Sequence, residues 1–327
     1  MNDNSGSPVV CSCSIIGGGG GFSRREALTA LLSGALLAPA ALQNALAADA
    51  TTPSVTLTIE ADHVLRHGAD KFVGINLNYL RDADANRPPK ARSLDAALHD
   101  MGARWLRYPG GEKSDFYEWA APPYAKPQPK SLGWYADVPG QRLGFDQYIQ
   151  TARAVGAEPY VVAGYDTEKR TGRTKTEWIT SAAAWVHYAN ITKRYGVQYW
   201  EIGNENWNNA TGTAAEMAGI VTEFSRAMRA VDPTIKIGSS GNGDGWWSQF
   251  LPIAAPAIDF VTLSLYNCWD WKSYARFAQP LAPNLIGDAQ TALNAIDRHA
   301  PPADKGRLQV VVAETNSTDF SKDGWPG

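Results

Sequence analysis

The sequence contains little cysteine and histidine, and this limits the chemistry that we expect of it. Three cysteines and five histidines occur in 327 residues. Cys11 and Cys13 lie in an N-terminal segment that we expect to be removed, so that Cys268 alone would remain and no intrachain disulfide could form. The histidines show no metal-ligand spacing. The sequence therefore predicts no metal, no cofactor and no thiol-based mechanism.

Charge of either sign is also sparse. Charged residues make up 19% of the chain and the formal net charge is −3, so we do not expect nucleic acid to be a partner. The excess is aromatic, with 12 Trp and 13 Tyr. Flat apolar rings can stack on a ligand, although core packing must account for a part of them.

A long, strongly hydrophobic run is missing, but a weakly apolar one lies near the N-terminus. Arg24 and Arg25 precede an uncharged stretch, 27–48, which contains an Ala-Leu-Ala site at 45–47. This order predicts that residues 1–47 are a cleavable twin-arginine-type export signal, with an uncleaved membrane anchor as the alternative. The mature protein would then be periplasmic or secreted in a bacterium and would no longer contact the membrane.

Beyond residue 68 the sequence alternates β-branched or aromatic runs with helical patterns. This alternation predicts an α/β fold, and we favour a (β/α)₈ TIM barrel because polar residues follow successive strands. A doubly wound open sheet is the alternative, but no glycine-rich phosphate loop follows the first strand. The predicted strands are 71–79, 103–111, 158–166, 197–205, 235–243, 259–267 and 308–316. The predicted helices are 93–101, 145–155, 177–195, 213–230, 246–256 and 286–299.

This reading supplies seven of the eight strands that a barrel needs. Only residues 315–327 follow Glu314, so we expect the barrel of residues 69–327 to lack its C-terminal end. Residues 54–60, "SVTLTIE", alternate as a strand. We expect this strand to make segment 48–68 the lead-in to an accessory β-sandwich.

Two carboxylates end predicted strands and so could meet at one pocket. Glu205 closes the fourth strand and Glu314 closes the seventh. Glycoside hydrolysis needs one acid that protonates the leaving oxygen and one carboxylate that attacks or activates water. Glu201 competes for the acid role, but it lies deeper on the strand and we interpret it as a structural carboxylate held by a neighbouring donor.

The segments "LRYPGGEKSDFYEW", "WEIGNENW" and "VVAET", in this order, resemble the clan A glycoside hydrolases, and most closely the family 51 α-L-arabinofuranosidases. The resemblance covers about residues 70–316. It implies a retaining double displacement with Glu205 as acid/base and Glu314 as nucleophile. It also implies that Asn204 binds the sugar hydroxyl next to the anomeric carbon and that Arg107 keeps Glu314 ionised, with an ordinary salt bridge as the alternative for Arg107.

Further residues are candidates for substrate binding. Tyr266 could donate a hydrogen bond to Glu314, or be satisfied by backbone instead. Tryptophans in the loops after strands four to six are candidate stacking platforms, although the core could claim two or three of them. These aromatic candidates, together with one polar residue at the end of strand one, are Trp207, Trp246, Trp247, Trp269, Trp271 and Asn78.

Two positions depart from the family pattern. Family 51 enzymes commonly carry a sugar-binding Glu near strand one, where this chain reads "GINLNY", and a His at the position of Ser264. The resemblance makes an arabinofuranoside the first guess at the substrate, and these two departures count against it. The alternatives are a β-glycosidase or endoglycanase of another clan A family, and a non-catalytic glycan-binding protein. In each case the expected partner is a carbohydrate.

Overall fold

The computed structural model describes residues 73–133, 137–138, 140–209, 211–266 and 285–316. The predicted export signal, the predicted lead-in strand, Cys268, Trp269 and Trp271 lie outside the described residues. Within the described ranges, none of the helices has the length and apolar character needed to cross a membrane.

One sheet of parallel strands organises the described part of the chain. Each strand pairs with the barrel strand that precedes it along the chain, and the strands curve into a nearly closed barrel. The strands are β1 (Gly74–Asn76), β2 (Trp105–Tyr108), β3 (Glu158–Ala163), β4 (Tyr199–Ile202), β5 (Lys236–Ser240), β6 (Phe260–Tyr266) and β7 (Gln309–Asn316). The predicted barrel is confirmed, and the doubly wound alternative is wrong because the sheet order follows the chain order without a reversal.

Helices connect the strands, as parallel pairing requires. The longer ones are α1 (Leu94–Asp100), α2 (Phe145–Val155), α3 (Lys175–Val186), α4 (Ala214–Val231), α5 (Gly243–Ala254) and α6 (Leu285–His299), and a single helical turn, Glu168–Thr171, precedes α3. Capping boxes begin two of them. Thr174 and Glu177 exchange side-chain and backbone hydrogen bonds at α3, and Thr213 and Glu216 do so at α4.

The two faces of each strand serve different purposes, as β4 shows. Trp200 faces the helical layer and contacts Trp185 of α3 edge-on, with ring centroids 5.7 Å apart. Tyr199 points to the other face, where it packs against Trp105 and Phe260. Since side chains alternate along a strand, Glu201 lies on the same inner face as Tyr199, one layer closer to the C-terminal ends of the strands. An aromatic layer therefore fills the barrel beneath the polar residues.

The sheet has two edges in the described residues, β1 and β7. A cavity of about 660 Å³ lies between them and extends from Trp105 and Tyr199 up to Arg107 and Glu314. The space inside the barrel is thus continuous with the polar groups at the strand ends.

The loop after β2 is more structured than its sequence predicts. A 3₁₀ helix, Glu112–Phe116, leads into the two-residue strand Tyr117–Glu118, which pairs antiparallel with Lys130–Ser131. The 3₁₀ helix packs directly on the residue that follows β3, because a Cβ atom on Gly164 would collide with the carbonyl oxygen of Ser114. Glycine at 164 therefore brings this loop to the barrel mouth.

Candidate active site

Arg107 is the centre of a charged cluster at the C-terminal ends of the strands. Its guanidinium Nη1 donates to Glu314 Oε1 at 2.7 Å and its Nη2 donates to Asn204 Oδ1 at 2.9 Å. Its Nε donates to Glu201 Oε2, also at 2.9 Å. The expected pairing of Arg107 with Glu314 is therefore present, and one side chain links three of the residues that the sequence singled out.

Glu201 lies at the bottom of this cluster, and its side chain is 1% exposed. Besides Arg107, Thr262 donates to its Oε1 at 2.5 Å and Tyr160 donates to its Oε2 at 3.2 Å. Both carboxylate oxygens thus accept hydrogen bonds from side-chain donors, which fix the orientation of the group. The donors that we expected around Glu201 exist, and the carboxylate lies away from the open space of the mouth.

Glu314 is turned toward the pocket by an irregularity in β7. The ladder between β6 and β7 pairs Leu263 with Val312 and then Ser264 with Glu314, so Ala313 is the extra residue of a bulge. Bulges beside active sites commonly re-aim a side chain. Tyr266, on the neighbouring strand, donates to Glu314 Oε2 at 2.6 Å, as the sequence suggested.

The partners of Glu314 keep their protons. Burial lowers the pKa of Arg107, but the charges of Glu201 and Glu314 outweigh this effect and raise it above its ordinary value. Burial and the charge of Glu314 raise the pKa of Tyr266. Arg107 is therefore always a cation and Tyr266 always a donor in the physiological range, so both oxygens of Glu314 accept from groups that stabilise a carboxylate.

Glu205 has a different environment. It is half-buried, and burial raises its pKa, as does the nearby charge of Glu314, while a hydrogen bond from Ser264 lowers it. The net shift is upward, which favours a protonated carboxyl at a higher pH than usual. A carboxyl group with a raised pKa is what general acid catalysis needs.

The predicted position of Glu205 on a strand is wrong. We expected a strand over 197–205, but β4 ends at Ile202 and the chain then turns. Gly203 has φ of 68° and Glu205 has φ of 46°, and such left-handed conformations end a strand. Glu205 approaches Ser264 and Glu314 from a turn, and so does not share a strand face with Glu201.

Asn204 lies between these two left-handed residues and is 1% exposed. Its Oδ1 accepts from Arg107, while its Nδ2 is buried and has no hydrogen-bond partner within the described residues. An amide held by one end offers its other end as a donor to a bound hydroxyl group.

The predicted aromatic platforms have different fates. Trp247 is 1% exposed and belongs to the core, so its assignment as a platform is wrong. Trp246 lies in the first turns of α5 rather than in a loop, and its ring stacks on Phe250 with centroids 6.2 Å apart. Trp207 is half-buried in the turn after β4. For Trp246 and Trp207, substrate contact stays a prediction.

Asn78 takes part in a turn after β1. Its Oδ1 accepts from the backbone N–H of Leu80, and its own N–H donates to Asp82. It lies beside Gly110 in the loop after β2, since a Cβ atom on that glycine would be 3.6 Å from the Cα of Asn78. Substrate binding by Asn78 also stays a prediction.

Three residues around the glutamates were not singled out by the sequence, and a fourth, Ser264, was noted only as a departure from the family pattern. Thr262 and Tyr160 support Glu201, Ser264 contacts Glu205, and Asp115 contacts the backbone of Asn204. Position on an inward face was a usable signal for the first two. The residues of the described ranges contain no group of three or more His, Cys, Asp or Glu side chains that could hold a metal ion.

Comparison with known proteins gives a consistent picture. A family model described as the alpha-L-arabinofuranosidase 1 domain matches residues 97–271, more than half of the chain. The chain is 26% identical to alpha-L-arabinofuranosidase C of Emericella nidulans over 260 residues, which cover 68% of this chain and 49% of that protein. The chain thus spans about half the length of this curated relative.

Solved structures share the fold. An alpha-L-arabinofuranosidase from Thermotoga maritima, solved in complex with arabinose, is 25% identical with a TM-score of 0.54, and the match covers 70% of this chain and 49% of that one. A GH51 alpha-L-arabinofuranosidase from Thermotoga petrophila is 24% identical with a TM-score of 0.58, over 79% of this chain and 57% of that one.

Proposed function

Since the chain belongs to the alpha-L-arabinofuranosidase 1 domain family, we propose that it carries the active site of a retaining glycoside hydrolase that cleaves arabinofuranosides. The observation that carries this proposal is the contrast between Glu205 and Glu314. One is half-buried with a raised pKa, and the other accepts hydrogen bonds from Arg107 and Tyr266. The arabinose bound to the Thermotoga maritima relative supports the choice of sugar.

In the first step, Glu314 attacks the anomeric carbon and Glu205 gives its proton to the leaving oxygen. A glycosyl-enzyme forms at Glu314, and the aglycone departs as an alcohol. Asn204 holds the adjacent sugar hydroxyl through its free Nδ2, while Arg107 fixes the amide from its other end. Tyr266 donates to Glu314 Oε2, and this hydrogen bond fixes the orientation in which the Glu314 carboxylate approaches the sugar.

In the second step, Glu205 is a carboxylate and takes a proton from water as that water attacks the glycosyl-enzyme. The charge of Glu314 is absent from this intermediate because the residue is esterified. One contribution that raises the pKa of Glu205 is therefore removed at the moment when Glu205 must act as a base. Retention of configuration further requires the two carboxyl groups to lie about 5–5.5 Å apart.

A second candidate is a β-glycosidase or endoglycanase activity on the same barrel. Ser264 favours it, because the serine side chain beside Glu205 is smaller and less basic than the histidine that the family commonly carries there. The catalytic pair and its chemistry would be unchanged, and only the accepted sugar would differ.

The test is hydrolysis of a panel of 4-nitrophenyl glycosides by the full-length protein. We expect turnover of the α-L-arabinofuranoside with retained configuration, observed by NMR of the first product anomer. Glu314→Ala should abolish turnover on every substrate of the panel, a loss of about 10⁴-fold or more. Turnover confined to a pyranoside would favour the second candidate, and glycan binding without any turnover would refute both.

A further inference from the structure

Asp115 is a buried carboxylate that neither step of the proposed reaction uses. It lies in the 3₁₀ helix Glu112–Phe116 and is 0% exposed. Among the ion pairs of the described residues, none includes Asp115. Burial and the charge of Asp166 raise its pKa well above the ordinary range. A buried acid that no ion pair of the described residues compensates is a candidate for a functional role.

Both oxygens of Asp115 contact the turn that carries Glu205. Oδ1 accepts from the backbone N–H of Asn204 at 3.1 Å, and Oδ2 accepts from Asn209 Nδ2 at 2.9 Å. The same Nδ2 donates to the carbonyl oxygen of Asn204 at 2.9 Å. The two backbone polar groups of Asn204 are therefore held, one by Asp115 itself and one by an amide that Asp115 orients.

This turn needs external support. Gly203 and Glu205 both have left-handed backbone conformations, which are unfavourable for a residue with a side chain such as Glu205. The carbonyl oxygen of Glu205 accepts from the N–H groups of Asn208 and Asn209, at 2.7 and 3.0 Å. Asn209 thus connects Asp115 to the backbone of both Asn204 and Glu205.

We propose that Asp115 is a positioning residue for the acid/base Glu205, acting through the backbone of Asn204 and the side chain of Asn209. This assignment rests on the proposed function. Asp115 does not touch the substrate in it. Its two acceptor atoms fix the turn in the conformation from which the Glu205 carboxyl reaches the leaving oxygen.

The hydrogen-bond pattern makes Asp115→Asn a sharp test. Asn at 115 has one acceptor and one donor, whereas the turn presents two donors, the N–H of Asn204 and the Nδ2 of Asn209. Rotation of the Asn209 amide would relieve one conflict but would place its Oδ1 against the carbonyl oxygen of Asn204. Each arrangement therefore loses at least one hydrogen bond of the turn, although the volume of the side chain is unchanged.

The reaction offers a readout that a purely structural role would not affect. For a retaining enzyme kcat/KM reports the first step, which needs the acid when the leaving group is an alcohol but not when it is an acidic phenol. The experiment compares kcat/KM of the full-length protein and its variants on an unactivated arabinofuranosyl oligosaccharide and on a 2,4-dinitrophenyl arabinofuranoside.

For Asp115→Asn we expect kcat/KM to fall about 100-fold on the oligosaccharide and less than about 5-fold on the activated substrate. Asn209→Ala leaves Asp115 intact, lies at a half-buried position and should show the same selective loss at about 10-fold. The matched control is Glu118→Gln, which changes a buried acid of the same loop that contacts Arg173 and not the turn. It should show no selectivity between the two substrates.

Each outcome bears on the proposal. Equal losses on both substrates for Asp115→Asn and for Asn209→Ala, with active wild-type protein, would overturn the assignment while the proposed function stands. If Asp115→Asn does not fold, as judged by its thermal melt, Asn209→Ala decides alone. Wild-type protein without turnover on any glycoside would overturn the proposed function, and the assignment with it.

Discussion

The charged cluster around Arg107 contains two glutamates in different environments, one at its floor and one at its rim. On the floor, Glu201 is buried and accepts from Arg107, Tyr160 and Thr262. On the rim, Glu205 is half-buried in a turn, and its protonation depends on a balance between burial, Ser264 and Glu314. Glu201 is thus fixed by three side-chain donors, whereas the protonation of Glu205 depends on groups that change during the proposed reaction.

This contrast shows how one strand end supplies both support and chemistry. β4 provides Glu201 while it is still part of the ladder, where side-chain direction is set by the pleat. Glu205 follows after the ladder has ended, where direction is set by the turn. We expect substitutions on the floor to reduce stability and activity together, and substitutions on the rim to change the reaction selectively.

Among substitutions that compare the floor with the rim, the largest expected effect is that of Glu205→Ala. Loss of the acid should lower kcat/KM on an unactivated oligosaccharide about 10³-fold, whereas kcat/KM on a 2,4-dinitrophenyl glycoside should change little. The second step would become slow on either substrate because no base remains. Added azide should restore kcat on the activated substrate by attacking the glycosyl-enzyme, with formation of a glycosyl azide. Full activity of a folded Glu205→Ala protein would reverse the roles of rim and floor.

Glu201→Gln should have the next largest effect, mainly on stability. The substitution removes one of the two carboxylates that pair with the buried Arg107, and breaking a buried ion pair costs about 3–5 kcal/mol. We expect a lower midpoint of denaturant unfolding, a similar loss of kcat/KM on both substrates, and no rescue by azide. Tyr160→Phe removes only the 3.2 Å hydrogen bond and is the milder companion variant. Azide rescue of Glu201→Gln would contradict the assignment of a supporting role to Glu201 and of the acid/base role to Glu205.

Ser264→Ala should have the smallest effect, confined to pH dependence. Its hydroxyl lowers the pKa of Glu205, so the substitution should raise that pKa further and keep the acid protonated to a higher pH. The alkaline limb of the kcat/KM profile should therefore move to higher pH, because the hydrogen bond that favours the carboxylate is lost. Ser239→Ala, which removes a hydroxyl bonded to the carbonyl oxygen of Ile202, should leave the profile unchanged. A downward shift in Ser264→Ala would refute this interpretation.

The sequence predicted the order and type of the barrel elements well because hydrophobic periodicity is local. The range 145–155 coincides with α2, and 213–230 differs from α4 by one residue at each end. Sequence-based prediction was less accurate where tertiary contacts determine the end of an element. The predicted helix 177–195 continues beyond α3 only as a π-helical turn, His187–Thr192, in which Asn190 bonds the backbone of Val197 on the approach to β4.

The site was predictable in its charged residues but not in their support. Glu205 and Glu314 carry a motif, and Arg107 could be paired with Glu314 because both follow strands of one barrel. Asp115 could not be connected to Asn204 from the sequence, because the contact depends on the packing of a loop after β2 against a turn after β4. Similarly, the sequence predicted Trp247 to be a candidate stacking residue in a loop, whereas its position on α5 buries it in the core.

The left-handed backbone of Glu205 has a consequence for the history of such chains. Glycine or asparagine would fit a φ of 46° with less strain than glutamate does. Selection for stability alone would thus drive position 205 toward those residues, and under the proposed function it is selection for turnover that retains the glutamate. Descendants that bind glycans without cleaving them should therefore have lost Glu205 before Arg107 or Glu201, whose loss would unpair buried charge.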